Sequence, residues 1–306
     1  MKLAFVCTFI VLCAAAILIG AGGMPAGDDA QLLLSLRLPR LAAALIAGSA
    51  LGAAGLMMQT MTRNTLAEPG LLGVNAGAAL GVVAGVAWAG AAAGPGYLMW
   101  AFIGAAAGSV CVLAIAHVRS PGPLRLVLAG LALSATFHGA SSAILLSAPS
   151  GYDQYRFWVL GSLAGVTFEM VRWSGVPVLL GLSGAWLMAR PLSALLLGED
   201  SARSLGYRPT SLRLGVALAT TLLTASAVAL AGPIAFLGLL APYLGRTAAA
   251  SLPGQLAWSA GLGAGLLLLA DLGARLVAQP FETPVSVLTA LFGAPLLIWI
   301  ARRRLG

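Results

Sequence analysis

Charge is what this chain of 306 residues carries least of: 17 basic and 9 acidic side chains, 8% of the total, where an ordinary soluble domain carries about 25%. Lysine occurs once, as Lys2. That excludes a phosphate-binding loop of the G-x-x-x-x-G-K type, whose lysine must reach the β and γ phosphates. The two histidines, His117 and His138, stand in no H-E-x-x-H spacing, so a zinc protease is excluded as well. Cys7, Cys13 and Cys111 lie in apolar stretches with no paired spacing and no nearby histidine, and read as small packing residues. The chain also lacks a soluble domain or a low-complexity linker, and nothing in it reads as an enzyme.

What it has is apolar length. Hydrophobic residues make up 60%, mean hydropathy is +0.97 and there are 39 glycines, the composition of a helix bundle in lipid. Charge at the centre of a spanning helix costs about 2.5–3.5 kcal/mol per residue, so the charges map the breaks. A hydrocarbon core of about 30 Å needs about 20 residues, and ten spans are expected, near 3–22, 41–61, 71–91, 97–117, 124–147, 171–189, 212–231, 235–250, 256–277 and 285–301. The fold class is therefore an all-α polytopic membrane protein, one transmembrane domain over 1–306. Residues 1–22 also have the outline of a signal peptide, but the run is longer than a usual h-region and suits a first span. Pro177, Pro242 and Pro295 fall inside spans and predict kinks.

Sidedness supports the even count. With both termini inside, Lys2, Arg63, Arg119, Arg125, Arg190, Arg203, Arg208, Arg213, Arg246, Arg302, Arg303 and Arg304 fall on the inner side, against Arg37, Arg40, Arg156, Arg172 and Arg275 outside. A net charge of +8 spread along loops in this way sets orientation and gives no reason to expect nucleic acid. Gly48, Gly52 and Gly55, and Gly261 with Gly265, are spaced for close helix contact.

Few segments carry chemistry. His138 lies one turn from Ser134 and near Ser141 and Ser142, but adjacent turns of one helix seldom supply nucleophile, base and oxyanion donors together; a histidine bonded to a neighbouring carbonyl or serine is the expectation. In the inner loop 63–77, Glu68 before Pro69 is placed to serve the N-terminus of the next helix. The second inner segment, Leu197 to Gly206, reads as a short amphipathic helix with Glu199 and Asp200 at its start, Arg203 inside and Gly206 ending it. Too short to span, it is built to touch another protein. Residues 148–170 form the longest outer break, with a short helix expected over 157–163.

Taken in order, Arg37-Leu-Pro-Arg40, the Asn64 to Gly77 loop, Gly198 to Gly206, Ala231 to Arg246 and Asp271 to Pro295 resemble the motifs of the FecCD-type (BtuC-like) permeases. Those are the membrane subunits of ABC importers for ferric siderophores, haem and vitamin B12. The resemblance implies a type II ABC importer permease fold of ten spans, in the cytoplasmic (inner) membrane, paired with a second permease copy or a related permease. It implies a cytoplasmic ABC ATPase dimer below, which binds the ATP and Mg, and a periplasmic or surface-tethered substrate-binding protein above, with no cofactor in this chain. Glu199, Asp200, Ser201, Ala202, Arg203, Ser204, Leu205 and Gly206 would then be the helix that couples to the ATPase. Arg37, Arg40 and Arg275 would dock acidic residues of the binding protein, and Gly161 and Ser162 are candidate lining residues of the pathway or its gate. Two positions depart from the family, Thr65 where proline is common and Tyr243 where histidine is. An ion-gradient-driven secondary transporter is the alternative, but Glu169 and Asp271 lie near span ends, away from the midplane where a coupling ion would bind.

Overall fold

The computed structural model describes residues 2–19, 30–91, 94–117, 123–147, 152–277 and 282–305. Among them the chain is helical throughout: α1 (Lys2–Leu18), α2 (Ala30–Thr62), α3 (Val74–Ala89), α4 (Pro95–His117), α5 (Pro123–Ser147), α6 (Tyr152–Val159), α7 (Phe168–Leu196), α8 (Glu199–Ser204), α9 (Pro209–Ala231), α10 (Leu237–Ala248), α11 (Leu252–Val277) and α12 (Val285–Leu305). Six of these, α2, α4, α5, α7, α9 and α11, contain stretches long and apolar enough to cross a bilayer, and α1, α3 and α12 contribute shorter apolar helices. The end of the expected first span, the start of the outer break at 148–151, and Arg119 lie outside the described residues.

The eighth expected span, 235–250, needs correcting. α10 has 12 residues, about 18 Å at 1.5 Å per residue, roughly half of what a crossing requires. Its shortness comes from the stretch before it: Gly232 to Ile234 leave the helix, and Phe236 caps α10 in the left-handed region at φ 67°. Glu68 holds that cap by accepting the Phe236 N–H at 3.2 Å. The carboxylate thus serves a helix N-terminus, as expected, but that of α10; it makes no cap bond to the 3₁₀ turn Pro69–Leu72 that follows it.

α2 also differs. It begins at Ala30, eleven residues before the expected span, and takes Pro39 inside it. Arg37 and Arg40 are therefore helical residues rather than loop residues.

Core packing follows small side chains. α2 and α11 cross where a Cβ on Gly48 would lie 2.5 Å from the Gly263 carbonyl oxygen, a backbone approach that only glycine allows. On α11 it is Gly263, not Gly261 or Gly265, that makes this seam; the latter two face Phe5 and Phe9 of α1 at ordinary contact distance. α9 is the most enclosed long span, packed by α7, α2 and α4, whereas α5 touches α3, α4 and the 3₁₀ turn and leaves most of its surface open.

Candidate coupling and docking sites

The short helix α8 is set at its angle by two glycines. Gly198 at φ 119° turns the chain out of α7, and Gly206 at φ 83° turns it toward α9, both conformations that a side chain would strain. Between them Glu199, Asp200, Ser201, Ala202, Arg203 and Ser204 make one turn and a half, with Leu205 and Gly206 closing it through Gly206 N–H to Arg203 O at 2.9 Å and Tyr207 N–H to Ala202 O at 2.9 Å. A helix this short is unstable alone, so its neighbours must hold it.

Two contacts do so directly, and a third steadies the end of α7 beside it. Ala202 is fully buried and anchors the helix from beneath. Arg213, on α9, donates to Glu199 Oε1 at 2.5 Å, which holds the Glu199 carboxyl below the usual glutamate range. Arg63, at the end of α2, donates to the Leu195 carbonyl oxygen in the last turn of α7. Arg203 reaches Glu199 at 3.5 Å and Asp200 at 3.4 Å, exposed contacts worth little. The outward surface combines the fully exposed Asp200 side chain and the 62% exposed Arg203 with Leu197, Leu205 and Tyr207, all open. Apolar anchors ringed by charge are what a protein interface uses. Arg213 and Arg63 were not legible as part of this site, since 14 and 132 residues separate them from their partners.

At the other end of the bundle the three outer arginines are not free. Arg37, Arg40 and Arg275 are 6%, 8% and 2% exposed, their guanidiniums turned to partners within the chain. Asp271 on α11, completely buried, accepts from Arg40 Nε at 2.8 Å and from Arg275 Nη2. Arg40 also grips Glu282 through both carboxylate oxygens, at 2.9 and 2.7 Å. Further donors reach the C-terminal turn of α1: Arg37 bonds the Ile17 and Leu18 carbonyls at 2.9 and 3.2 Å, and Arg275 bonds Ala16 O at 2.8 Å. Three guanidiniums against two carboxylates leave an excess positive charge, and it sits where the α1 dipole is negative. Burial follows from that chemistry: each charge has a partner inside the chain.

The proposed pathway residues are also enclosed. Gly161, at φ 66°, is buried with Pro233 O 2.6 Å from where its Cβ would be, and its carbonyl accepts from Ser286 N–H at 3.4 Å. Ser162 is half-buried, its hydroxyl accepting the Ala164 N–H at 3.1 Å. The short outer helix lies earlier than expected, at Tyr152–Val159, and 160–163 is a loop seated on the break between α9 and α10. Tyr243 is half-buried on α10 and Thr65 lies exposed in the inner loop. Ser141 and Ser142 donate to carbonyls of their own helix, Phe137 and His138, rather than to the His138 ring.

Comparison with known proteins covers nearly the whole chain. The model of the FecCD transport family matches residues 3–303. The ferric enterobactin transport system permease protein FepD of Escherichia coli K12 is 42% identical over 96% of this chain and 92% of its own length. The iron(3+)-hydroxamate import system permease protein FhuB of Bacillus subtilis is 40% identical over 91% of this chain and 73% of its own. Among solved structures, a transporter described as of the metal-chelate ABC type, in an inward-facing conformation, superimposes with a TM-score of 0.87 at 27% identity over 98% of both chains.

Proposed function

The chain belongs to the FecCD transport family, and from that membership we propose that it is the membrane-spanning permease subunit of an ATP-binding-cassette importer for an iron–siderophore type of metal chelate. It spans the cytoplasmic membrane with both termini inside and pairs with a second copy or a related permease. A substrate-binding protein delivers the cargo, and separate ATPases bind and hydrolyse the nucleotide. The observation that carries this reading is α8. A six-residue helix pinned to α9 by Arg213 and exposing Leu197, Leu205, Asp200 and Arg203 has the surface of a docking element and a rigid connection to the spans.

Docking of the binding protein at the outer arginines has a physical condition. An acidic partner has to compete with Asp271 and Glu282 for them, and Glu282, the most exposed member of the cluster, is the group it would displace. Charge there steers and orients more than it tightens.

The test is co-expression with the ATPase encoded beside this chain, followed by affinity capture. Wild type retains the ATPase, and the double variant Glu199→Arg, Arg203→Glu loses it. A chain that is well expressed and folded yet never captures the ATPase would point instead to a gradient-driven transporter.

A further inference from the structure

A spanning helix on the flank of a bundle turns one face to the bilayer, and the ends of that face meet the headgroups. On α7 the open face is a single stripe: Arg172, Val176, Leu179, Leu180, Leu187 and Arg190 follow one another at helical spacing and all are exposed. The two arginines stand 18 positions apart, about 27 Å along the axis, and a hydrocarbon core is about 30 Å thick. Arg190 therefore sits at headgroup level on the α8 side of the bilayer, with the apolar stripe running from it into the acyl region.

At that level a groove of about 570 Å³ lies between the foot of α7 and the turn that starts α11, lined by Arg190, Ser193 and Leu196 on one side and by Ser251, Leu252 and Gln255 on the other. Its size is that of a small-ligand site. Its hydrogen-bond inventory is one-sided. Among the described residues the Arg190 guanidinium has no hydrogen bond or ion pair. The Ser251 hydroxyl accepts the Gly254 N–H at 3.3 Å and keeps its own hydrogen to give. Ser193 already donates to Ala189 O at 3.0 Å, and the Gln255 amide to the Ala249 and Ala250 carbonyls at 3.1 and 3.4 Å. No carboxylate lines the groove among the described residues. The acids at this end of the bundle are engaged elsewhere: Glu68 accepts from Phe236, Glu199 from Arg213, and Asp200 lies against Arg203. Whatever satisfies Arg190 must come from outside the chain and carry negative charge.

We propose that this groove binds the headgroup of an anionic phospholipid, with Arg190 gripping the phosphate oxygens, the Ser251 hydroxyl donating beside it, and an acyl chain lying along Leu187 on the stripe. Charge selects the occupant. A guanidinium matches phosphate through a bidentate pair, and basic pockets between spanning helices suit anionic headgroups. A zwitterionic lipid brings an ammonium as well, and the groove has no carboxylate to meet it. The stripe selects lipid over a soluble anion, because the groove continues directly into a face that only acyl chains can cover. A lipid held there ties the foot of α7 to the first turn of α11, next to α8. The inference needs a membrane-spanning chain and does not rest on the importer reading.

The test is competition between two lipids. The purified full-length chain in detergent is given an equimolar mixture of phosphatidylglycerol and phosphatidylcholine, and the lipids retained are counted by native mass spectrometry. Wild type should retain phosphatidylglycerol about tenfold over phosphatidylcholine, the worth of one charge-assisted contact. Arg190→Gln should lose that preference, and Arg190→Lys, which keeps the charge without the planar fork, should keep part of it. Arg208→Gln, an exposed arginine at the same end but outside the groove, should behave as wild type. Equal retention of the two lipids by wild type, an undiminished preference in Arg190→Gln, or the same loss in Arg208→Gln would overturn the site. Inorganic phosphate that displaced phosphatidylglycerol would mark a soluble-anion site and overturn the lipid. If Arg190→Gln keeps the lipid preference but loses the ATPase or a second copy, the groove belongs to that partner. Arg190 has no bond to lose, so Arg190→Gln should melt with wild type in phosphatidylcholine alone; a lower melting temperature there would contradict the free guanidinium on which the site depends.

Discussion

Replacing Asp271 by Asn keeps the shape of the side chain and removes the one charge shared by two buried guanidiniums. Asp271 accepts from Arg40 and Arg275 in a site closed to solvent. Asparagine offers one acceptor and turns its amide N–H groups toward a cation. Removing one partner of a buried pair costs about 3–5 kcal/mol, because the other charge stays buried and uncompensated. Arg40 keeps both bonds to Glu282, so the effect falls at the lower end, about 3 kcal/mol. At roughly 2–4 °C per kcal/mol, purified Asp271→Asn should melt about 6–12 °C below wild type, read by tryptophan fluorescence and by size-exclusion recovery after heating. The companion variant Asp271→Leu with Arg275→Met removes both charges and fills the space with apolar groups, which for buried pairs is near neutral; it should recover most of the loss. A single variant that melts with wild type, or a double variant no better than the single, would refute the view that this network is paired and buried.

Two further outcomes follow from named bonds. The Glu199 carboxyl is held below its ordinary value of 4.5 by Arg213, so its contribution is present above that pH and is lost as pH falls through the lowered folded value. Because the pair is partly exposed, Glu199→Gln should melt only about 1–2 °C lower at pH 7, the worth of an exposed ion pair, and the gap should close in acid; a gap that widened in acid would refute the tether. Glu282→Gln frees Arg40 from its outer carboxylate, so binding-protein docking, measured by surface capture of the complex, should tighten severalfold; weaker docking would mean that Glu282 itself meets the partner.

The order of helices was legible because lipid enforces it: length, apolarity and the position of charge are read directly, and apolar helices stand at nine of the ten expected places, six of them long enough to cross. α10 escaped because its half length depends on the break at Gly232–Phe236 and on Glu68, contributed from 168 residues away. α8 was legible for a local reason, since two flanking glycines, acidic first-turn residues and Arg203 all lie within nine positions. Its tethers were not, and neither was the burial of Arg37, Arg40 and Arg275. A positive residue beside an outer loop looks the same in sequence whether it meets solvent or the last carbonyls of another helix. The ring of His138, without a hydrogen bond among the described residues, and the free guanidinium of Arg190 likewise show only once the neighbours of α5 and α7 are in place.

The fastening of α8 has a mechanical consequence. An element of six residues held at one point would swivel when pushed, and the push would be spent in its own loops. α8 continues from α7 through Gly198, is gripped from α9 by Arg213, and lies beside an α7 end clasped by Arg63 from the foot of α2. A displacement at this knob would therefore reach three long levers together, and α9, the most enclosed of them, would carry it to the helix break at Gly232 on which the loop 160–163 rests. Stiffness at the α8 end and a helix break near the far end would turn a small local stroke into a tilt.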